Sequence, residues 1–211
     1  VSRMKTHYPE YEALIRERLT PKRYRHSLNV MERAVELAGI FGADPRKAEL
    51  AGLLHDAEKN TDPKILLQSL EKSDILLSDA DRASPQLWHA PCGYLFARDR
   101  LGIQDADVLN AIRYHTTGRA GMSLLEKVVY LADLTSADRD FSDIRKVRKL
   151  SEQDLDAALL YSLQFILGDL VAQGQPLQQD SLACYNQLAL EKAFRAGDPG
   201  GKANVRAGAE R

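Results

Sequence analysis

The sequence has little cysteine, no excess of basic charge and no long apolar run. Its two cysteines, Cys92 and Cys184, are far apart, so they predict neither a disulfide framework nor a thiolate zinc site; we expect buried, reduced thiols. A formal net charge of −1 argues against a broad surface for long nucleic acid. No apolar run approaches a membrane span in length, and the start, VSRMKTHYPEYE, lacks the apolar stretch of a secretory signal. We therefore expect a cytoplasmic protein with neither a membrane nor long nucleic acid as a partner.

The sequence also lacks the strict alternation of apolar and polar residues that indicates a half-buried strand. Helix signals are present instead. A capping residue precedes a proline at four places, which predicts helix starts at Thr20-Pro21, Asp44-Pro45, Asp62-Pro63 and Ser84-Pro85. Apolar residues recur at helical spacing in 28–41, 47–54, 108–115 and 124–133. The predicted fold class is all-α.

Further capping patterns and the chain length predict the organisation. Ser123 with Glu126 forms a capping-box pattern, and Ser151 with Asp154 forms a weaker one. Glycines stand where helices could stop, at Gly42, Gly102, Gly118 and Gly174. The length of 211 residues favours one compact domain. We predict a helical lead-in at 1–19, the domain at 20–190 and, from its Gly, Ala and charge, a disordered tail at 195–211.

The residues that suggest chemistry are histidines and aspartates. Of the five histidines, His7 stands apart. The other four follow one another in order with aspartates: His26, His55-Asp56, His89, His115 and Asp133. Helical spacing turns several of them toward the core, with His26 on the face of Val30, Ala34 and Leu37, His115 on that of Val108, Ala111 and Ile112, and Asp133 on that of Leu125, Val129 and Ala132.

An inward carboxylate needs a proton, a cation or a metal, because burying an unpaired charge is costly. Three inward histidines near a buried acid favour the metal. A single core histidine is more often simply hydrogen-bonded, and the pair His55-Asp56 alone also fits a helix C-terminus, where the helix dipole favours histidine. It is the ordered set that makes a metal site the preferred interpretation.

The ordered set resembles the metal-ligand pattern of the HD-domain phosphohydrolases. RYRHSLNV, LAGLLHDAEK, LNAIRYHTTGRAGMSLLEKVVYLAD and ADRDF resemble the branch of that family that hydrolyses dinucleoside tetraphosphates, and the likeness runs from about Thr20 to Asn186. One departure follows Asp133, where LTSADRDF stands in place of YIEPGRDF or a similar sequence. The departure concerns the rim of the pocket. The resemblance implies a compact HD-domain helical bundle.

The resemblance further implies a two-metal site. His26, His55, Asp56 and Asp133 would hold one metal, and Asp56 would bridge to a second metal completed by His89 and His115. Imidazole and carboxylate ligands without thiolate suit iron, manganese, cobalt or zinc, and the resemblance favours iron. Two ions about 3.5 to 4 Å apart can activate water and clamp phosphate oxygens. The implied reaction is symmetrical cleavage of diadenosine tetraphosphate and related dinucleoside polyphosphates into two nucleoside diphosphates.

Cations near the ligands are candidates for contact with this small nucleotide substrate. We predict catalytic roles for His55, Asp56 and Lys59. The predicted substrate-binding residues, each of which could also be a solvated surface residue or a helix cap, are Lys59, Thr116, Thr117, Arg119 and Arg139. Arg23 and Arg25 flank His26 but are predicted to point to other faces of the helix. A homodimer is compatible with the sequence.

Three other functions fit the same residues. One is a different HD-type nucleotide phosphohydrolase or phosphodiesterase, and product analysis would separate it. Another is a non-catalytic HD domain that binds a nucleotide or a partner protein and regulates it, although such a module is expected to have lost a ligand. The third is a di-iron oxygenase, which hydrolysis without oxygen would exclude.

Overall fold

Helices make up the regular structure of residues 4–195, the part of the chain that this computed structural model describes. These residues form eleven α-helices and one 3₁₀ turn, Pro85–Leu87, and contain no strand. The predicted all-α class is therefore confirmed. The α-helices are α1 (Pro9–Arg18), α2 (Pro21–Phe41), α3 (Pro45–Leu54), α4 (Pro63–Glu71), α5 (Asp79–Arg82), α6 (His89–Asp99), α7 (Ala106–Arg113), α8 (Leu124–Thr135), α9 (Ile144–Ser151), α10 (Leu155–Ala172) and α11 (Gln179–Arg195).

Three of the four capping pairs start α-helices as predicted. Thr20, Asp44 and Asp62 precede the first prolines of α2, α3 and α4, and the side chain of each accepts a hydrogen bond from a backbone amide of the first turn. Ser84 precedes only the 3₁₀ turn, and its side chain forms no capping bond. The pairs thus mark the start of α2, which carries His26, and the start of α3, which His55 directly follows.

The other capping predictions have different outcomes. The box of Ser123 and Glu126 is present at the start of α8. The pairing of Ser151 with Asp154 is wrong, because Ser151 is the last residue of α9 and Asp154 itself caps α10 by accepting a hydrogen bond from the amide of Ala157. A short acidic cap at Asp154 is sufficient, since one side-chain oxygen satisfies a free amide of the first turn.

The core lies between α2, α3, α7 and α8. α2 packs against α3 and α8, and α7 packs against the same two helices. Their inner faces supply fully buried side chains, among them Met31, Leu37, Leu53, Leu54, Ile112 and Leu131. On one side, α10 packs against α9 and α11, and both α9 and α10 pack against α8. Because the four central helices converge, polar residues on their inner faces come together in one place.

Helix α10 corrects one expectation from the sequence. Leu155–Ala172 is 18 residues long and apolar enough to cross a membrane by length and composition. The expectation that no run approaches that length was therefore wrong. In the fold, Leu159, Leu163 and Leu167 of this helix are buried in the core, so one face of α10 packs against α8 and α11.

The predicted tail, 195–211, lies outside the described residues except for Arg195, the last residue of α11. The helix α1 falls within the predicted lead-in, 1–19, and packs against α2 and α3. The boundaries of the lead-in and of the domain at 20–190 stay predictions.

Candidate metal centre

Six side chains from separate elements converge in the centre of the bundle. His26 comes from α2, His55 and Asp56 follow the end of α3, His89 opens α6, His115 lies in the turn after α7 and Asp133 is on α8. Five of them are at most 3% exposed, and the side chain of Asp133 is 15% exposed. The structure thus brings together all six residues that the sequence indicated as metal ligands.

The carboxylate of Asp56 lies between two pairs of imidazoles. Its Oδ1 is 3.2 Å from Nε2 of His89 and 3.7 Å from Nε2 of His115. Its Oδ2 is 3.5 Å from Nε2 of His55 and 3.9 Å from Nε2 of His26. Each oxygen therefore faces a different pair of ring nitrogens, which is the arrangement of a carboxylate that can bridge two ions.

The second carboxylate joins one of these pairs. Oδ1 of Asp133 lies 3.0 Å from Nε2 of His26. The possible ligand atoms form three overlapping groups in which all atoms are within 4.8 Å of one another: His26, His55 and Asp56; His55, His115 and Asp133; and Asp56, His89 and His115. Asp56, His55 and His115 each belong to two of the groups, so the three groups form one continuous cluster.

Each imidazole is oriented by a hydrogen bond from its other ring nitrogen. The Nδ1 partners, at 2.8–2.9 Å, are Asp138 Oδ2 for His26, and the backbone carbonyls of Gly52 for His55, Gln86 for His89 and Ile112 for His115. With the proton on Nδ1, the lone pair of every Nε2 points into the cluster. Orientation of this kind is usual for histidines that bind metal.

Two of these Nε2 nitrogens form no hydrogen bond. Nε2 of His26 and Nε2 of His55 are fully buried and form no hydrogen bond; the atoms that face them are carboxylate oxygens of Asp133 and Asp56, at 3.0 and 3.5 Å. Buried polar atoms are nearly always hydrogen-bonded, so two adjacent exceptions need an explanation. A metal ion fits both atoms, and the nitrogen and oxygen donors suit iron, manganese, cobalt or zinc.

The charges of the cluster match what a metal requires of its ligands. Burial by itself raises the pKa of Asp56, but the surrounding histidines, His55 first among them, outweigh burial and hold that pKa well below its usual range. For Asp133, too, burial raises the pKa, but His26 outweighs burial and the pKa is lowered. Burial lowers the pKa of His89 to about 4. Both acids are therefore ionised and His89 is neutral at pH 7, which are the forms that bind metal.

A cavity of about 190 Å³ adjoins the cluster, and Asp56, His89 and His115 form part of its wall. The cations Arg23, Lys59 and Arg139 also line this cavity. Nη1 of Arg23 donates to Oδ2 of Asp56 at 3.0 Å, and Nη2 of Arg139 donates to Oδ1 of Asp133. Nζ of Lys59 lies 3.3 Å from both ring nitrogens of His89. Burial lowers the pKa of Lys59.

Arg23 lines the cavity, which the sequence did not predict. It was predicted to point to another face of α2 than His26, yet both contact Asp56. The spacing of Arg23 and His26 could have predicted this contact, because residues three apart on a helix are neighbours on one face. Arg139, in contrast, was predicted to lie near the ligands, and it does.

The other predicted substrate contacts lie at different distances from the cavity. Thr116 lines it, whereas Thr117 lines a neighbouring cleft and donates its hydroxyl to the carbonyl of Gly118. Arg119 forms two hydrogen bonds, at 2.7 and 2.6 Å, to the buried carboxylate of Glu126 at the start of α8. Contact of these residues with substrate stays a prediction.

His7 and the two cysteines are not among the six converging residues. His7 is remote from the cluster and its Nδ1 lies 2.7 Å from the buried carboxylate of Glu49. Cys92 and Cys184 are both buried free thiols, as expected. Sγ of Cys92 donates to the carbonyl of Leu66 on α4, and Cys92 belongs to none of the three groups of possible ligands.

A helical bundle with histidines and an His-Asp pair at its centre defines a class of protein, the HD domain. The family model of the HD domain matches residues 23–138, a range that contains all six converging residues. The chain belongs to this family.

Relatives within the family carry a more particular name. The chain is 44% identical over 183 residues to a symmetrical bis(5'-nucleosyl)-tetraphosphatase of Halalkalibacterium halodurans, which covers 85% of this chain and 95% of the relative. It is 42% identical to the protein of the same name from Bacillus subtilis, with 83% and 94% covered. A crystal structure of a predicted HD superfamily hydrolase involved in NAD metabolism from Clostridium acetobutylicum is similar with a TM-score of 0.85 and 37% identity, covering 89% of this chain and 100% of that one.

Proposed function

We propose that this chain hydrolyses diadenosine tetraphosphate and related dinucleoside polyphosphates at a two-metal centre, releasing two nucleoside diphosphates. The names of the relatives from Halalkalibacterium halodurans and Bacillus subtilis support the substrate. The high coverage of both chains supports carrying that substrate over, since little of either relative lies outside the match.

The observation that carries the proposal is the position of Asp56 between two pairs of imidazoles. His26, His55, Asp56 and Asp133 would hold one ion, while Asp56, His89 and His115 would hold the other. Metal ions in such a site supply an activated water and neutralise charge on phosphate oxygens. His55 and Asp56 are catalytic in this proposal through the position that they give to the ions.

The cations of the cavity provide what the leaving group needs. Cleavage of a phosphoanhydride releases a nucleoside diphosphate, whose negative charge has to be neutralised more than protonated. Arg23, Lys59 and Arg139 line one cavity and can bind the phosphates there. Arg139 keeps its charge, because Asp133 outweighs the effect of burial and raises its pKa. Lys59 completes the catalytic set from its position beside His89.

The proposal includes iron as the metal, with manganese, cobalt or zinc able to occupy the same donors. The absence of thiolate from the six converging ligands supports a metal that prefers nitrogen and oxygen. A cytoplasmic location and a homodimer remain predictions from the sequence.

Product analysis tests the proposed reaction. Iron-loaded protein is incubated without oxygen with diadenosine tetraphosphate, and the products are separated by chromatography. We expect ADP alone from the wild-type protein and no product from Asp56→Ala. Asp140→Ala, which changes an exposed acid near the site, is the matched control and should leave the activity intact. Formation of ATP and AMP would contradict symmetrical cleavage.

A further inference from the structure

An apolar cleft of about 240 Å³ adjoins the metal cavity. Leu134 of α8 and Ile166 of α10 line both spaces, so the cleft begins where the cavity ends. Together the two volumes fall within the roughly 300 to 1,000 Å³ typical of small-molecule sites. A substrate bound at the metal ligands therefore has room to extend into the cleft.

Two aromatic rings form the cleft's most distinctive feature. The rings of Phe141 and Phe165 are nearly parallel, with an interplanar angle of 22° and centroids 6.4 Å apart. Phe165 is 49% exposed, although it lies on the largely apolar helix α10. A flat ring system bound in the cleft would cover this exposed face and gain stacking energy.

The polar groups of the cleft are unsuited to phosphate. The hydroxyl of Tyr161 donates to Oδ2 of Asp143 at 2.6 Å, and the hydroxyl of Ser162 donates to the carbonyl of Ala158 at 2.7 Å. Both donors are therefore engaged within the protein. The carboxylate of Asp143 repels anions, so the cleft favours the uncharged end of a nucleotide over its phosphates.

The chain itself connects the two spaces. Arg139 lines the metal cavity, and Phe141 follows it by two residues along the turn between α8 and α9. A nucleotide whose phosphates lie against Arg139 has its nucleoside beside Phe141. The order of charge and then aromatic surface along the protein matches the order of phosphate and then base along a nucleotide.

We infer that the cleft bounded by Phe141 and Phe165 binds a nucleobase of the substrate, with Phe165 as a stacking residue that sets specificity. The inference rests on the proposed function. A purine is preferred over a pyrimidine, because the larger ring system covers more of the aromatic face.

Ligand binding to Phe165 variants tests the inference. Calorimetry on manganese-loaded protein compares ADP, UDP and pyrophosphate, the last of which has the two phosphates without a base. We expect Phe165→Ala to weaken ADP binding roughly tenfold and to leave pyrophosphate binding unchanged. Phe165→Tyr should restore ADP binding. In the wild-type protein ADP should bind more tightly than UDP.

The control is Val171→Ala, which changes an exposed apolar residue of the same helix outside the cleft. It should bind all three ligands as the wild type does. Unchanged ADP binding in Phe165→Ala, or an equal loss for ADP and pyrophosphate, would overturn the inference. A Phe165→Ala protein that binds ADP normally but has a different molar mass in light scattering would also overturn the inference. The cleft would then be a contact between two copies of the chain.

The outcomes separate this inference from the proposed function. If the wild type cleaves diadenosine tetraphosphate and ADP binding does not depend on Phe165, the proposed function stands and the base site fails. If the wild type cleaves nothing but binds ADP through Phe165, the base site stands and the proposed reaction fails.

Discussion

The orientation of the four imidazoles is set residue by residue through their Nδ1 partners. Three partners are backbone carbonyls, which the helix ends fix in place, and the fourth is the side chain of Asp138. Asn29 and Ser136 in turn donate to Oδ1 of Asp138. The imidazole of His26 therefore depends on a side chain that substitution can remove without disturbing a helix.

Replacing Asp138 tests this dependence. Asp138→Ala should weaken metal binding by about 10- to 100-fold, because the ring of His26 loses its orienting acceptor. Titration of the metal-free protein with manganese, followed by calorimetry, measures the change. Asp140→Ala is the neighbouring acidic control. Equal affinities for the two variants would show that Asp138 does not orient the ligand.

The contact between Arg119 and Glu126 is a second residue-scale test, because it separates a structural role from contact with substrate. Arg119→Ala leaves the buried carboxylate of Glu126 without its cation and should lower the free energy of unfolding by about 3 kcal/mol. Urea unfolding measures the loss, with Arg145→Ala of the exposed surface of α9 as the control. A stable variant with a raised KM would instead assign Arg119 to the substrate.

At the scale of elements, the sequence predicted helix starts better than helix ends. A proline preceded by a capping residue is a local signal, so α2, α3 and α4 begin where expected. The end of α7, in contrast, has no such local signal in the sequence. His115 was placed on a helical stripe, but α7 ends at Arg113 and His115 lies in the following turn, where its Nδ1 still reaches the carbonyl of Ile112.

The sequence also indicated the six residues that converge, but it did not give their geometry. Spacing within each helix predicted which side chains face inward, and the family resemblance supplied the pairing of metals. The contact of Arg23 with Asp56 joins residues 33 positions apart, and the aromatic pair of Phe141 and Phe165 joins the turn between α8 and α9 to α10. Such contacts depend on how helices pack, which local patterns do not specify.

The packing of α3 on α2 is a testable property of these elements. A Cβ added to Gly52 would lie 2.9 Å from Cα of Met31, too close for an unchanged backbone. Gly52→Ala should therefore destabilise the protein by about 1 to 3 kcal/mol and disturb His55, whose Nδ1 bonds the carbonyl of Gly52. Thermal unfolding and metal titration measure the two effects.

Gly39→Ala on α2 is the matched control for that substitution. Its added Cβ would meet no atom within 4 Å, so alanine should stabilise the helix by roughly 0.5 to 1 kcal/mol. A lower Tm for Gly39→Ala, or an unchanged Tm for Gly52→Ala, would contradict the close packing of α2 and α3.

At the scale of the whole molecule, the two thiols report on opening of the fold. Burial raises the pKa of Cys92 to about 12 and that of Cys184 to about 11. The reactive thiolate is therefore scarce at pH 8, and raising the pH toward these values should increase its fraction. We expect iodoacetamide to label neither thiol in the folded protein at pH 8 and both in urea, as mass spectrometry would detect. Rapid labelling of the folded protein would show that these regions open.

The central claim is a two-metal centre in which Asp56 lies between the ions, and metal content tests it most directly. Protein loaded with manganese and freed of excess metal is analysed by inductively coupled plasma mass spectrometry, beside His89→Ala and Asp56→Ala. The account predicts two ions per chain in the wild type, fewer in His89→Ala and fewest in Asp56→Ala, since Asp56 serves both ions. One ion per chain in the wild type, or a content that does not change when Asp56 is replaced, would contradict it.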